Sequence, residues 1–560
     1  MLKLRPLTYI GAVVILAAIS LFGQQGIDQI AVPRSAGDPF RISTGSSFYA
    51  SGTGSGKREP TRTAAPALIG DLQEAFDVIR RNYVDRSLKL QTRAAESATR
   101  TMLRSLDPHS TYWSPQEFAE LLGEHHSEYS GTGSTIINFR RNGRVETYVV
   151  AVAPGSPSER AGLRFGDRLI AVDTKDVSGL SSFAVRELVR GPRGTEVRLK
   201  IEQSADGKVR SVLLRRDRVP QPTVPLATML DDSTGYIEMS VGFSYTTVTE
   251  FDSALEALKA KGMTNLVLDL RGHSGGIVDQ AVAIADKFLP AGRKIVSQRG
   301  RRAFEDREWV SQNREPELIP IVLLTDGETA SAAEIVAAAF QDNDRALVVG
   351  TRTFGKGLVQ NVTELENGGG LTLTAARYYT PSGRSIQRDY SEIGLYDYFS
   401  RTNKSAASGH ALQATRTITG RIVYGGDGIE PDIFIEPTEP DQQDNLLIDE
   451  IFHFSVEVVE GRIEGVGSRD DLRQSILFGG PVASDPVIEK FCRFAGISEP
   501  LDIGIRERIR EQLSYFLSIG AFGVEAGQKS RLAYDPAVQK ARSSIKDAKD
   551  LSDRAFSLKK

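Results

Sequence analysis

The sequence predicts a multidomain chain around an α/β core, with a small helical domain before it, a strand-rich inserted module and a helical C-terminal extension. Three observations carry this prediction. Between Gly235 and Gly350, short apolar runs alternate with amphipathic stretches, the pattern of a sheet whose parallel strands are joined by helical crossovers. From about Tyr129 to Gln203 the period shortens to that of strands broken by Gly and Pro, while before Leu106 and after Pro440 it is helical. The composition fits a folded chain: of 560 residues 40% are hydrophobic and 25% charged. Opposing counts of 69 Lys+Arg and 72 Asp+Glu leave a net charge of −3, which excludes a nucleic-acid binder held by bulk positive charge. One cysteine, Cys492, provides neither an internal disulfide nor a thiolate metal site.

At the N-terminus, Lys3 and Arg5 precede the apolar run Leu7 to Gly23, which reads as an export signal placing the rest of the chain outside the cytoplasm. Seventeen helical residues at about 1.5 Å each just cross a bilayer core. Leu21-Phe22-Gly23 is a poor cleavage site, so an uncleaved anchor over residues 1–27 is expected in preference to a cleaved peptide. Residues 28–66, rich in Gly, Ser, Thr and Pro, read as a spacer. Their Ser51 to Lys57 run lacks the spacing and preceding strand of a phosphate loop. A helical domain is expected over 67–127: Leu72, Phe76, Ile79 and Tyr83 share one face, a second helix covers Thr92 to Leu106, and Asp107-Pro108 stops it. Ser114-Pro115-Gln116-Glu117 then opens a third with a capping box. His125-His126 has no third ligand at metal spacing, and no metal or cofactor is expected.

In the module at 128–215, Tyr148 to Ala153 reads as a strand and Ser156 as the cap of a short helix with Pro157 at its first position. Glu159 closes the box and Gly162 ends the helix. Gly166-Asp167 turns into strand Arg168 to Val172, a helix follows near Ser182 to Arg190, and a strand at Glu196 to Ile201. The run SPSERAGLRFGDRLIAV in this order resembles a PDZ domain of the bacterial, protease-associated kind. That resemblance implies an extended peptide added as a strand, its terminal carboxylate held on backbone N–H groups of the loop Gly131, Thr132, Gly133, Ser134.

The core at 216–440 offers two candidate nucleophiles. Gly272-His273-Ser274-Gly275-Gly276 follows strand Leu266 to Leu270 and matches the Gly-x-Ser-x-Gly elbow of α/β-hydrolases, with His410 and His453 as the downstream histidines. Ser331 opens a small-residue helix after strand Ile319 to Leu324, where free N–H groups and the helix dipole favour an oxyanion. Lys356 lies 25 residues on, between two glycines. As a base it must be neutral, which means lowering an ordinary value of about 10.4 towards 7, a task for burial. Gln360 can hold the amine without adding a charge.

Leu106-Asp107-Pro108-His109-Ser110, the PDZ run, Leu268-Asp269-Leu270-Arg271 with Gly275-Gly276, Thr329 to Glu334, Thr353 to Gly357 with Gln360, and Gly428-Ile429-Glu430-Pro431-Asp432 together resemble the carboxyl-terminal processing peptidases, the tail-specific serine proteases. The resemblance spans about residues 70 to 435. It implies a ClpP/crotonase-like core, Ser331 as nucleophile, Lys356 as general base, Gln360 as its orienting partner, and Ala332 and Gly275 N–H groups as the oxyanion hole. It also implies polypeptide substrates presented by their C-termini, at the periplasmic or extracytoplasmic face of the inner membrane, and leaves an adaptor or a homo-oligomer open. Residues 389–421 read as an insertion. The helical extension, 441–560, lies beyond the resemblance; its stripe of Val538, Ala541, Ile545, Ala548, Leu551 and Ala555 is expected to dock on the body or a partner.

Overall fold

The computed structural model describes residues 64–84, 88–391, 398–399, 414–436, 442–477, 482–497 and 501–558. The segment 1–27, nearly all of the spacer, and most of the 389–421 insertion with His410 lie outside the described residues. Among the described residues no helix is long and apolar enough to cross a membrane.

The first two helices, Ala64–Asn82 and Leu88–Arg104, both begin earlier than periodicity suggested. Their lead-ins, Ala64-Ala65-Pro66-Ala67 and Leu88-Lys89-Leu90-Gln91, are mostly strong helix formers that carry no facial pattern. Asp107 ends the second excursion: its Oδ1 accepts the His109 and Ser110 N–H groups at 2.8 Å each, and Oδ2 accepts the Ser110 hydroxyl at 2.7 Å. These two helices form one compact unit that closes at Tyr112. The third helix, Pro115–His125, belongs to the other unit, which begins at Trp113. Its capping box forms as expected, Ser114 N–H donating to Glu117 Oε2 at 2.7 Å and Glu117 N–H to Ser114 Oγ at 3.4 Å.

The PDZ module is an antiparallel sheet in the order Ser134–Arg141, Arg144–Val152, Arg168–Val172, Glu196–Glu202, Val209–Arg215. Helix Ser182–Val189 closes a core of Val149, Leu169, Val172, Val185, Val197, Leu199 and Ile201. Ser156 caps the short Pro157–Arg160 helix by accepting the Glu159 N–H. The Glu159 carboxylate reaches Gly155 N–H at 2.6 Å rather than Ser156, because the Pro154-Gly155 turn swings that earlier donor over the helix start. Strands Glu128–Gly131 and Asp217–Pro220 pair where the chain enters and leaves the module.

In the core, strands Thr234–Glu238, Asn265–Asp269, Ile321–Thr325, Leu347–Gly350 and Ile433–Phe434 are parallel neighbours, with Leu226–Met229 antiparallel at one edge. Asp432 ties the last of these to its neighbour, its carboxylate accepting Val348 N–H at 2.9 Å. Strand Lys294–Gly300 departs from the expected alternation. It pairs antiparallel with Arg307–Val310 and Gly370–Tyr379 in a second sheet, to which Leu358–Glu364 adds. Helix Ala332–Asp342 is buried on every side, against helix Val278–Phe288 and this second sheet; its alanines permit the close approach.

The extension does two jobs. Its first helices, Gln442–Val459, Asp485–Ala495 and Ile503–Phe522, share a core with Phe139, Tyr148, Val150 and Phe165 of the PDZ module. Its last helices dock on the body: Val538, Ala541, Ala548 and Leu551 are buried with Tyr236, Val267, Val322 and Leu324 of the core sheet. The terminal stripe, read as one docked helix, spans two, Pro536–Ser543 and Ile545–Ser557; between them Ser544, at φ −98° and ψ 4°, closes the first with its backbone N–H and makes no side-chain cap for the second.

Candidate active site

Two turns at the carboxyl ends of adjacent parallel strands build the site, the place where open α/β sheets bind ligands. After Asn265–Asp269 come Arg271 to Gly276; after Ile321–Thr325 come Asp326 to Ser331. Side chains and backbone stitch the turns together. The Asp326 carboxylate accepts Gly272 N–H at 3.0 Å, Thr329 Oγ donates to Leu270 O at 2.8 Å, and Ala330 N–H to His273 O at 2.9 Å.

Ser331 sits at φ +55° and ψ −119°, a conformation that costs an L-residue energy and that places a serine at the tip of a strand–turn–helix elbow. Ser274, the other candidate, is not among the residues with positive φ. The strained elbow expected from letters at Gly272 to Gly276 is thus found at Ser331. Immediately after it, Ala332 is the first helical residue, whose N–H has no intrahelical acceptor.

Glu334 is wholly buried and organises what surrounds it. Its Oε2 accepts the backbone N–H groups of Ser331 and Lys356, each at 2.8 Å. Its Oε1 accepts Thr353 Oγ at 2.5 Å and Gly355 N–H at 2.7 Å. Burial pushes this carboxyl up from the usual range, while the hydrogen bonds from Thr353, Lys356, Gly355 and Ser331 pull it down. A single carboxylate oxygen therefore brings the backbones of Ser331 and Lys356 within two hydrogen-bond lengths of a common point. Sequence reasoning quoted Glu334 without a role; a carboxylate three residues after a helix-opening serine was the available signal.

Lys356 Nζ donates to Gln360 Oε1 at 2.8 Å, as the spacing suggested. The flanking glycines have a steric cause. A Cβ on Gly355, at φ +90°, would lie 3.1 Å from Gly428 N, and one on Gly357 would lie 2.9 Å from Gln387 N. Gln387 Oε1 in turn accepts Gly357 N–H at 2.9 Å.

Gly275 abuts the elbow: a Cβ there would lie 2.7 Å from Ser331 Cβ and 3.0 Å from Ala332 N. Its N–H, however, donates to His273 Nδ1 at 3.0 Å. His273 is fully buried against Phe243, and burial pulls its imidazole down to about 3, so it stays neutral and Nδ1 remains an acceptor. Of the two expected oxyanion donors, Ala332 N–H stands at the helix start and Gly275 N–H is engaged within its own turn. Below the turn, Asp269 accepts the Tyr236 hydroxyl at 2.8 Å and pairs with Arg271 at 2.6 Å, while Asp535 of the extension pairs with Arg271 from the other side at 2.7 Å.

The PDZ loop lies apart from these residues in the fold. Gly131 and Thr132 are buried, Thr132 and Ser134 hydroxyls are 3.3 Å apart, and Gly133, at φ +80°, has no room for a side chain beside Ser156. His453, a partner the elbow reading of Ser274 would call on, is bonded instead to Arg140 O in the PDZ module at 2.9 Å.

Comparison with known proteins agrees with this architecture. Residues 233–393 match the family model described as Peptidase family S41, and residues 148–203 match that of the PDZ domain. The carboxy-terminal processing protease CtpA of Bacillus subtilis is 28% identical over 68% of this chain and 83% of its own. The carboxy-terminal-processing protease of Bartonella bacilliformis is 34% identical over 57% of this chain and 72% of its own. The carboxyl-terminal-processing protease of Synechocystis is 34% identical over 57% and 75%. With the peptidase core and the PDZ module both accounted for, the chain belongs to the carboxy-terminal processing proteases of peptidase family S41, which are serine-type peptidases.

Proposed function

We propose that this peptidase is an endopeptidase that cuts exported proteins with a Ser331–Lys356 dyad, taking their C-terminal tails in the PDZ groove. The observation that carries the reading is the shared carboxylate oxygen, Glu334 Oε2, which accepts from the backbones of both residues. In its neutral form the Lys356 amine takes the Ser331 hydroxyl proton as Oγ attacks the scissile carbonyl. The negative oxygen of the tetrahedral intermediate is met by Ala332 N–H and the positive end of the Ala332–Asp342 helix. Gly275 N–H joins it by exchanging its bond to His273 Nδ1 for one to substrate. Protonated Lys356 then hands its proton to the leaving amine, and water admitted in its place hydrolyses the acyl-Ser331. Gln360, a neutral acceptor, orients the amine throughout without adding a charge that would favour its protonated form. We read the parallel layers around Ala332–Asp342 as a ClpP/crotonase-like core, Gly131 to Ser134 as the carboxylate loop, and the domains as divided in the sequence reading, with residues 1–27 carrying the chain to the extracytoplasmic side.

The test is cleavage of an unstructured protein with an apolar C-terminus. Ser331→Ala and Lys356→Ala are expected to abolish cutting and Ser274→Ala to retain it. Loss of activity with Ser274→Ala alone would overturn the dyad.

A further inference from the structure

We propose that the C-terminal extension limits how much of a substrate tail the PDZ groove can pair with, by means of Asp449 and His453. The proposal rests on the reading that the groove takes C-terminal tails. Strand Ser134–Arg141 ends the PDZ sheet and pairs on one side only, with Arg144–Val152. Its other edge is where an added strand would lie. At Arg140 that edge is already occupied: Arg140 N–H donates to Asp449 Oδ1 at 2.8 Å, and His453 Nε2 donates to Arg140 O at 2.9 Å.

A strand residue presents its N–H and C=O to the same neighbour, and the edge alternates every second residue. Arg140 faces outward, so Asn138 and Ile136 do as well. The one irregularity in the pairing lies between Thr135 and Ile136, where the register skips Val150 on the opposite strand, so the alternation along the groove strand continues unbroken. With the tail's carboxylate on the Gly131 to Ser134 loop, the tail runs antiparallel to the strand, and each step from Ser134 is one residue further from its end. Pairing can proceed as far as Asn138, about five residues, before it meets the extension.

The stop is rigid. Asp449 and His453 are one turn apart on the same face of Gln442–Val459. Between them Phe452 stacks on Phe139 with ring centroids 3.8 Å apart and planes 4° from parallel, and His453 meets the Tyr148 ring edge-on at 5.4 Å. Asn138 narrows the same place from the other wall. Its Nδ2 donates to Leu180 O at 3.1 Å, and its Oδ1 accepts the N–H of Ser182, which opens the helix across the groove. Asn138 thus ties the groove strand to the start of that helix, and the edge itself is filled at Arg140. Recognition is confined to the last few residues, and the chain upstream must turn away.

The experiment is fluorescence anisotropy on the full chain carrying Ser331→Ala, which prevents cutting. The probes are labelled peptides sharing one apolar C-terminus, lengthened from about four to about nine residues to span the strand, each also made as the C-terminal amide. Affinity for the free-acid series is expected to rise up to about five residues and then level off. Adding Asp449→Ala and His453→Ala should leave the shortest peptide's affinity unchanged, which also reports an intact groove. The longest should gain about tenfold, as two ordinary backbone hydrogen bonds would supply. Asp449→Asn with His453→Gln keeps an acceptor and a donor at those positions and should restore the plateau. Affinity climbing with length in the parent, or a plateau unmoved by the alanine pair, would overturn the stop while leaving tail recognition standing. Equal binding of acids and amides would instead overturn tail recognition itself, and this proposal with it.

Discussion

Ser331 and Lys356 are 25 positions apart in the chain, and what brings them into register is a third residue, Glu334. Its carboxylate meets four donors in a space without solvent, so each oxygen is committed. Glu334→Gln replaces one of those oxygens with an amide NH2, which donates and does not accept, so the two donors on that side, either the Ser331 and Lys356 N–H groups or the Thr353 hydroxyl and Gly355 N–H, face a third. At about 1–3 kcal/mol per unsatisfied group, kcat/KM is expected to fall about a hundredfold or more. Peptide binding to the PDZ module should be unchanged, because Glu334 makes no contact there; steady-state kinetics beside anisotropy separates the two. Ser331, Lys356 and Gln360 were proposed from residue type and spacing, and of that proposal the fold shows the Lys356 Nζ to Gln360 Oε1 bond directly. Glu334 was not so proposed, since its donors come from positions 331, 353, 355 and 356, which only the folded core brings together. The Gly275 N–H bond to His273 Nδ1 was hidden for a related reason: the sequence shows a glycine turn, but not which way an amide in it points.

At the scale of elements, signals confined to a few adjacent residues translated well. The capping box at Ser114, the Ser156 cap, the Asp107 stop and the buried strand at Leu266 each depend on neighbours in sequence. A strand near Lys294 to Ser297 falls inside the stretch read as alternating strand and helix, but periodicity does not reveal a strand's partner, and Lys294–Gly300 pairs with Arg307–Val310 and Gly370–Tyr379. The terminal stripe ran through Ser544 because its apolar positions stay in phase across the break. That stripe covers the face of the parallel sheet opposite helix Ala332–Asp342, so its loss should be felt in the core. Leu551, 3% exposed in the cluster with Val267 and Leu324, is the test position. Leu551→Ala is expected to cost about 2–4 kcal/mol and lower the core's thermal transition by several degrees, measured by calorimetry. Short-peptide binding at the PDZ groove should persist well below the new transition.

Over the whole molecule, the extension joins what the family's shared motifs leave separate. Its early helices buttress the outer face of the PDZ sheet, and its last ones cover the core sheet and send Asp535 to Arg271 beneath the Gly272 to Gly276 turn. Only the docking of the terminal stripe was readable beforehand; the rest was not, because the extension has no motif and its partners lie about 300 residues away, as Arg140 and Asp449 do. The dyad proposed at the centre can be tested without assuming a substrate. The full chain is treated with a β-lactone that acylates an activated serine, digested, and mapped by mass spectrometry. The adduct is expected on Ser331, to be absent in Lys356→Ala and to persist in Ser274→Ala. An adduct on Ser274, or labelling of Ser331 that is indifferent to Lys356, would contradict the dyad.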